Sequence, residues 1–367
     1  EEYFARIKSG GPSKLVVIID EAQFVAKRDA SFMEAVAKLK KHKLYPGPVL
    51  IILATSSTVW ATQEAAEQFK GAEMKLESLN FLEVVRHFES LPVAEIVRIY
   101  GAIGGVPAYL DKWDAAKSFK DNICRLVLTP SGALYGEADA VISAELRELS
   151  AYSTILAAIA RGENKLNDIF HATGFSRAKI SVYLKNLAAF NIVEKVVSFE
   201  TGGWENAKKG VYQIKDTFVN FWFKFVYPNM SNLYLLSPEE FYDTYIEKEL
   251  DAYLERYFRE VCTEYLLILN QMGQLPFTIK RVGTWIGKTG RIDIVAQSED
   301  RRSIIGFCNW DKPMMTMDMC ENMAMAMDQA RLTSDDYYLF SATDFEPALQ
   351  SYVVRDPRFK LINMNEL

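Results

Sequence analysis

The sequence predicts a multidomain α/β chain. It should hold a partial parallel sheet, a helical stretch, a segment of three helices and a hairpin, and a C-terminal α/β sheet domain. Three observations predict this. Two continuous apolar runs, Leu15–Ile19 and Val49–Ala54, flank a helical stretch with Phe32, Val36 and Leu39 on one face, which is the order of a βαβ unit. Residues 151–199 then switch to short helices with apolar residues three and four apart, closing in β-rich runs. The last third brings a long amphipathic helix, three strand-like runs, a helix and a further strand.

The bulk properties narrow the function classes. At 367 residues the chain accommodates two or three domains. Its net charge of −6 offers no global basic field for nucleic acid, so any such site must be local. Cys124, Cys262, Cys308 and Cys320 form no CxxC pair, which suits a reducing cytoplasm. His42, His87 and His171 lack metal-binding spacing. The apolar runs are too short to span a bilayer, so no membrane partner is expected.

Taken in order, residues 1–110 read as the C-terminal part of a parallel-sheet domain. Both apolar runs are expected to be buried on two faces. Residues 61–70 read as helix and Met74–Leu76 as a short strand. Residues 111–150 read as a mostly helical lid or linker. In 151–215, Ile155, Leu156 and Ile159 mark one helix and Lys165–Ala172 a second. Ser176 caps a third with Ile180, Tyr183, Leu184 and Leu187 on one face. Strands at Val193–Phe199 and Gly210–Ile214 complete a winged helix-turn-helix plan. Residues 216–250 are aromatic-rich and read as a connector. Residues 251–367 read as the final α/β domain, with strands at Phe277–Val282, Ile292–Ala296, Ser303–Cys308 and Tyr337–Ser341. The methionines from Met314 to Met327 read as core packing.

Three constellations carry chemistry. The first is Leu15–Gln23, apolar residues ending in Asp20-Glu21, the Walker B pattern of P-loop ATPases. The strand carries both carboxylates to the carboxyl edge of the sheet, where ligands bind. Asp20 is expected to hold Mg²⁺ through water, and Glu21 to orient or deprotonate an attacking water. The second run ends in Thr55 and Ser56, hydroxyls suited to a γ-phosphate or that water; Thr55 is the expected cofactor contact and Ser56 the expected catalytic one. The Gly-rich loop with its Lys is not found upstream of residue 15, and its half of the domain is expected to lie outside this sequence. Gly283–Thr289 imitates such a loop but sits between strands and reads as a hairpin turn.

The second constellation is local basic charge. Residues 151–215 carry nine Lys/Arg against five Asp/Glu, a net charge of +4 in a chain of net −6. Arg177, Lys179 and Lys185 on the third helix and Lys208 and Lys209 in the wing loop are expected phosphate contacts, with Ser181 reaching a base edge. The third is Glu260 on a helix with Asp293 on a strand, in the order of the PD-(D/E)xK nuclease fold. The following strand holds Phe307 and Asn309 where an acid and a Lys belong. Glu260 and Asp293 are therefore expected to be the remnant of an inactive, restriction-endonuclease-like site.

Together the chain resembles the archaeal-type P-loop ATPases, near the STAND NTPases. Four segments carry the resemblance: Asp20-Glu21-Ala22-Gln23; Gly104-Gly105-Val106-Pro107-Ala108-Tyr109-Leu110; Gly210–Asp216 with Phe221-Trp222-Phe223-Lys224-Phe225; and Gly290–Ala296. The resemblance implies a partial P-loop sheet, a lid, a winged helix and a nuclease-like domain. It implies ATP and Mg²⁺ at Asp20 and Glu21, in a switch whose nucleotide state is passed to DNA or a protein partner. A DNA-binding regulatory module with a silent ATPase half is the alternative reading, and a Mg²⁺-dependent nuclease a third. Arg291, Phe307 and Asn309 depart from the nuclease pattern.

Overall fold

In the computed structural model, the described residues are 14–41, 48–57, 60–69, 71–143, 146–199, 210–287 and 290–367. They fall into two compact units. The first ends at Glu77 and takes in Lys185–Asn191; the second comprises Ser78–Leu184 and Ile192–Leu367.

In the first unit, β1 (Leu15–Ile19) pairs in parallel with β2 (Val49–Leu53), in register from Leu15↔Val49 to Ile19↔Leu53. Helices α1 (Ala22–Arg28) and α2 (Phe32–Lys41) follow β1, and a π-helical turn (Trp60–Ala65) follows β2. Ala22, Met33 and Trp60 form the core, against which Ile19, Phe32 and Leu53 pack. The expectation that both strands are buried on two faces is corrected here. Burial along β1 alternates, and Val16 and Ile18 are 50% and 65% exposed. A continuous apolar run fixes strand formation, whereas the number of covered faces depends on how many helical layers pack on the sheet. Met74–Leu76 is not a strand; Met74 and Leu76 are 84% and 87% exposed and lie in irregular chain.

The second unit begins with α3 (Phe81–His87). Asn80 caps it with a reciprocal Glu83 contact. The Glu264 carboxylate, distant in sequence, accepts the first two amides, Phe81 and Leu82, both at 3.0 Å, matching the need for acceptors at a helix N-terminus. Helix α4 (Val93–Ile103) is buried along Ile96, Val97, Ile99, Ala102 and Ile103. Behind it, Gly105 lies against Leu79. The Leu79 amide donates to the Gly105 carbonyl at 2.8 Å, and a Cβ on Gly105 would stand 1.9 Å from the Leu79 carbonyl oxygen. That oxygen is backbone and cannot swing aside. Gly105→Ala is expected to cost about 1–3 kcal/mol or more of the unit's stability, read from its urea midpoint at unchanged m-value.

Three helices then appear as the spacing predicts: α5 (Leu149–Ala160), α6 (Leu166–Thr173) and α7 (Arg177–Ala189). Strands β3 (Val193–Val196) and β4 (Val211–Ile214) pair antiparallel, Val193 opposite Ile214. The loop joining them lies outside the described residues. The aromatic stretch after β4 is core as well as connection. Asp216 caps α8 (Thr217–Phe221), accepting the Val219 amide at 2.8 Å. The helix runs on as a π-helical turn through Trp222–Val226. Phe218, Phe221, Trp222, Phe223, Phe225 and Phe241 are all nearly or wholly buried. Aromatic burial of this kind dominates core energetics.

Helix α9 (Glu247–Gln271) leads into a five-stranded mixed sheet whose strands lie in the order Phe359–Asn363, Asp336–Ser341, Ser303–Asn309, Arg291–Gln297 and Arg281–Ile286. Strands β5 (Arg281–Ile286), β6 (Arg291–Gln297) and β7 (Ser303–Asn309) are antiparallel. The two-residue strand β8 (Met314–Met315) and α10 (Met317–Ala330) precede β9 (Asp336–Ser341), which runs parallel to β7. The short β10 (Asp344–Phe345) and α11 (Pro347–Arg355) precede β11 (Phe359–Asn363), parallel to β9. The expected strand at Phe277–Val282 lies later, at Arg281–Ile286. Trp285 is 6% exposed and anchors it in the sheet core, so tertiary burial sets the register over local propensity. The Gly283 segment is strand up to Ile286, and Gly287 donates to the Gly290 carbonyl at 2.9 Å to close the turn; Lys288 and Thr289 lie outside the described residues. Met315, Met323 and Met327 are buried in the sheet core, as the packing reading expects.

Candidate functional site

At the carboxyl end of β1 the chain passes through Asp20 and turns at Glu21, whose φ of 47° and ψ of 43° are left-handed. That conformation is costly for a non-glycine residue and is sustained only where neighbours hold it. Two backbone bonds do so: Ala54 N to Ile19 O at 2.9 Å, and Ala22 N to Ala54 O at 3.0 Å. They carry the pairing past the strand ends and set Glu21 opposite Thr55 and Ser56.

The side chains there form one network. The Ser56 hydroxyl donates to Glu21 Oε2 at 2.9 Å. The Gln23 amide donates to the same oxygen and to Ser56 Oγ, the latter at 3.2 Å. The Thr55 hydroxyl donates to Gln23 Oε1 at 2.7 Å and accepts the Ser57 amide at 3.0 Å. Gln23 is 2% exposed and is the hub. The Gln23 and Ser56 bonds hold the Glu21 carboxyl below its ordinary pKa, because hydrogen bonds to the ionised form favour it. Asp20 is exposed and, among the described residues, accepts only the Glu21 amide, at 2.9 Å.

The donor set can be weighed against Mg²⁺. That ion is commonly held by one or two carboxylates together with substrate phosphates and water. Asp20 fits: it is exposed, acceptor-only when ionised, and beside a carboxylate already committed to Ser56. No group of three or more His, Cys, Asp or Glu able to hold a metal exists among the described residues, so no all-protein cage competes. Sequence reading placed Asp20, Glu21, Thr55 and Ser56 at this edge, and the fold brings them together. It gave Gln23 no role; the signal was a polar residue inside an otherwise apolar helix start.

The basic positions of α7 lie on its exposed side, with local partners. Arg177 donates to Asn167 Oδ1 at 2.5 Å and stacks on Phe170 at 4.2 Å. Lys179 sits 4.4 Å over Phe175 and 5.3 Å over Tyr183. Lys185 is exposed. The Ser181 hydroxyl donates to the Arg177 carbonyl at 2.8 Å. Lys208 and Lys209 lie outside the described residues.

Glu260 and Asp293 do not share a ligand position. Glu260 accepts from Arg256 Nε at 2.9 Å. Asp293, buried on β6, accepts from Arg259 and Arg291 and from the Cys308 amide. The arginines sit where a cation would be needed, so this pair does not suit a divalent metal. Asn309 is 2% exposed and bonds Lys312 O at 3.2 Å and Ser341 Oγ at 3.1 Å, anchoring the turn after β7. Arg259, whose role the motif reading missed, lies one helical step before Glu260.

Residues 222–325 match a family model, DUF234, described as archaea bacterial proteins of unknown function. An uncharacterized protein of Methanocaldococcus jannaschii is 28% identical over 318 residues, covering 84% of this chain and 70% of that protein. Among solved structures, a Walker-type ATPase of Pyrococcus abyssi is 19% identical with a TM-score of 0.37 over 57% of this chain. The chain spans 63% of that ATPase's length. A Vibrio cholerae protein is 11% identical with a TM-score of 0.23, covering 96% of this chain and 88% of its own. Among the described residues no helix is long and apolar enough to cross a membrane.

Proposed function

We propose that this protein is an ATP-hydrolysing switch whose nucleotide site lies at the carboxyl edge of β1 and β2. One observation carries the reading: the Glu21–Ser56–Gln23–Thr55 network joins the ends of two parallel strands beside the exposed Asp20 carboxylate. If bound, ATP would supply the phosphoryl group and Mg²⁺ would neutralise its charge. Asp20 would hold the cation. Glu21, kept ionised by its donors, orients a water and accepts its proton. Gln23 fixes the Glu21 rotamer, and the Ser56 hydroxyl is the group that would sense a γ-phosphate, since it faces Glu21 directly. Turnover of ATP by the native protein and its Glu21→Gln variant tests this; equal rates overturn it.

The output of the switch, on this reading, is DNA held by residues 151–215 as a winged helix, with the C-terminal sheet as a nuclease-like fold that does not cleave. Arg177, Lys179 and Lys185 supply phosphate contacts along α7. Replacing all three by alanine is expected to weaken duplex binding uniformly across sequences and to reduce the slope of log affinity against log salt by about three. Fluorescence anisotropy at several salt concentrations reads both. An unchanged slope assigns α7 to a protein partner instead.

A further inference from the structure

Two cysteines far apart in sequence meet where α9 packs on the C-terminal sheet. On α9, Cys262 sits between two contacts to that sheet. One helical turn before it, Arg259 donates to Asp293 of β6 at 2.9 Å. One turn after it, the Tyr265 ring meets the Phe340 ring of β9, with centroids 6.0 Å apart. On the sheet, Cys308 of β7 lies between the same two partners. Its amide donates to Asp293 Oδ2 at 3.1 Å, and it stands opposite Phe340 in the parallel register. Opposed residues of neighbouring strands share a face, so the Cys308 side chain points with Phe340 toward α9. There a hydrogen bond joins the Cys308 and Cys262 thiols.

Both cysteines are free, and they differ in access. Cys262 is fully buried, whereas Cys308 is partly exposed. Burial, and then the Cys308 thiol, push the Cys262 thiol well above its ordinary pKa, so it is held as S–H. Oxidation of a thiol begins where solvent reaches it, which makes Cys308 the entry point and Cys262 its neighbour in reserve. Cys320 is placed differently. It packs with Phe307 in the core on the other face of the sheet, because consecutive residues of a strand point to opposite faces.

We infer that Cys308 and Cys262 form a redox-active dithiol, which a hydroperoxide converts to a disulfide tying α9 to β7. The Cys308 thiolate attacks one oxygen of hydrogen peroxide and the O–O bond breaks. Cys308 becomes a sulfenic acid, and the departing hydroxide takes up the proton that Cys308 lost. The Cys262 sulfur then attacks the sulfenic sulfur, and its proton leaves with the sulfenic hydroxyl as water. Two electrons pass from the sulfurs to the peroxide, giving one disulfide and two waters. A dithiol reductant reverses the step by thiol–disulfide exchange. The pair belongs to the second unit and does not depend on ATP hydrolysis at Glu21.

The test is hydrogen peroxide treatment of the full chain, then alkylation of remaining thiols in denaturant and peptide mass mapping without reductant. Loss of two of the four thiols is expected, with a Cys262–Cys308 cross-linked peptide and recovery of both thiols in dithiothreitol. Cys262→Ala removes the resolving thiol and is expected to leave a sulfenic acid at Cys308 that dimedone traps. Cys308→Ala is expected to leave Cys262 reduced. The wild-type map decides the pairing whether or not either variant folds. Four intact thiols at a peroxide dose that oxidises the urea-unfolded chain overturn the inference. So does a disulfide that uses Cys124 or Cys320, or one that joins two chains.

Discussion

Asp293→Ala is expected to destabilise the second unit by about 3–5 kcal/mol, the usual loss when one partner of a buried ion pair is removed. The cause is what remains. Arg259, 14% exposed, and Arg291 both lose the oxygen that holds their Nε donors, and the Cys308 amide loses its acceptor. Two adjacent guanidinium groups then lack their hydrogen-bonded anion. Asp293→Asn should cost less, because a carbonyl oxygen can still accept from the arginines. Its amide nitrogen, however, meets the Cys308 N–H donor to donor. Pairing Asp293→Leu with Arg259→Met should recover much of the loss, since apolar replacement of a buried pair is often neutral. Chemical denaturation of the three variants provides the check. A loss under about 1 kcal/mol for Asp293→Ala, typical of exposed pairs, would mean that water already solvates both arginines.

Glu21→Gln is expected to lower ATP turnover by about 10²–10⁴-fold, the usual contribution of a positioned general base. Nucleotide affinity should change little, because glutamine is isosteric and can still accept from Ser56. That separation matters: a merely structural role for Glu21 would reduce binding and turnover together. The pH profile gives a second signature. Gln23 is the largest cause holding the Glu21 carboxyl low, with Ser56 next. The base therefore stays ionised to lower pH than a carboxylate without these donors. Gln23→Ala removes the main donor, raises the Glu21 pKa, and should move the acidic limb of the rate profile to higher pH. A profile that does not move would assign Gln23 to packing alone.

The two sites differ in how much of them could be read along the chain. At the first, the apolar run of β1 ends at Asp20-Glu21 and that of β2 ends near Thr55-Ser56, and parallel pairing in register brings those ends together. Strand length and the residues that end a strand are local properties, so the juxtaposition follows from them. Gln23 becomes the hub through contacts to Thr55 and Ser56, 32 and 33 residues away, and no local pattern encodes such a contact. At the second site, Asp293 could be placed on a strand and Glu260 on a helix by periodicity. Their partners were another matter. Arg259 reaches Asp293 across 34 positions, and which arginine a carboxylate meets depends on how α9 crosses the sheet.

Two strands with acidic and hydroxyl ends, three helices before a hairpin, and a closing α/β sheet are legible along the chain. These rest on propensity and on the two- and 3.6-residue periods, which act between near neighbours. Packing between distant segments leaves Val16 and Ile18 of β1 exposed, draws β5 four residues later than its apolar run suggests through Trp285, and gives Asp293 two arginines. Each of these depends on which distant surface supplies the other half of a contact.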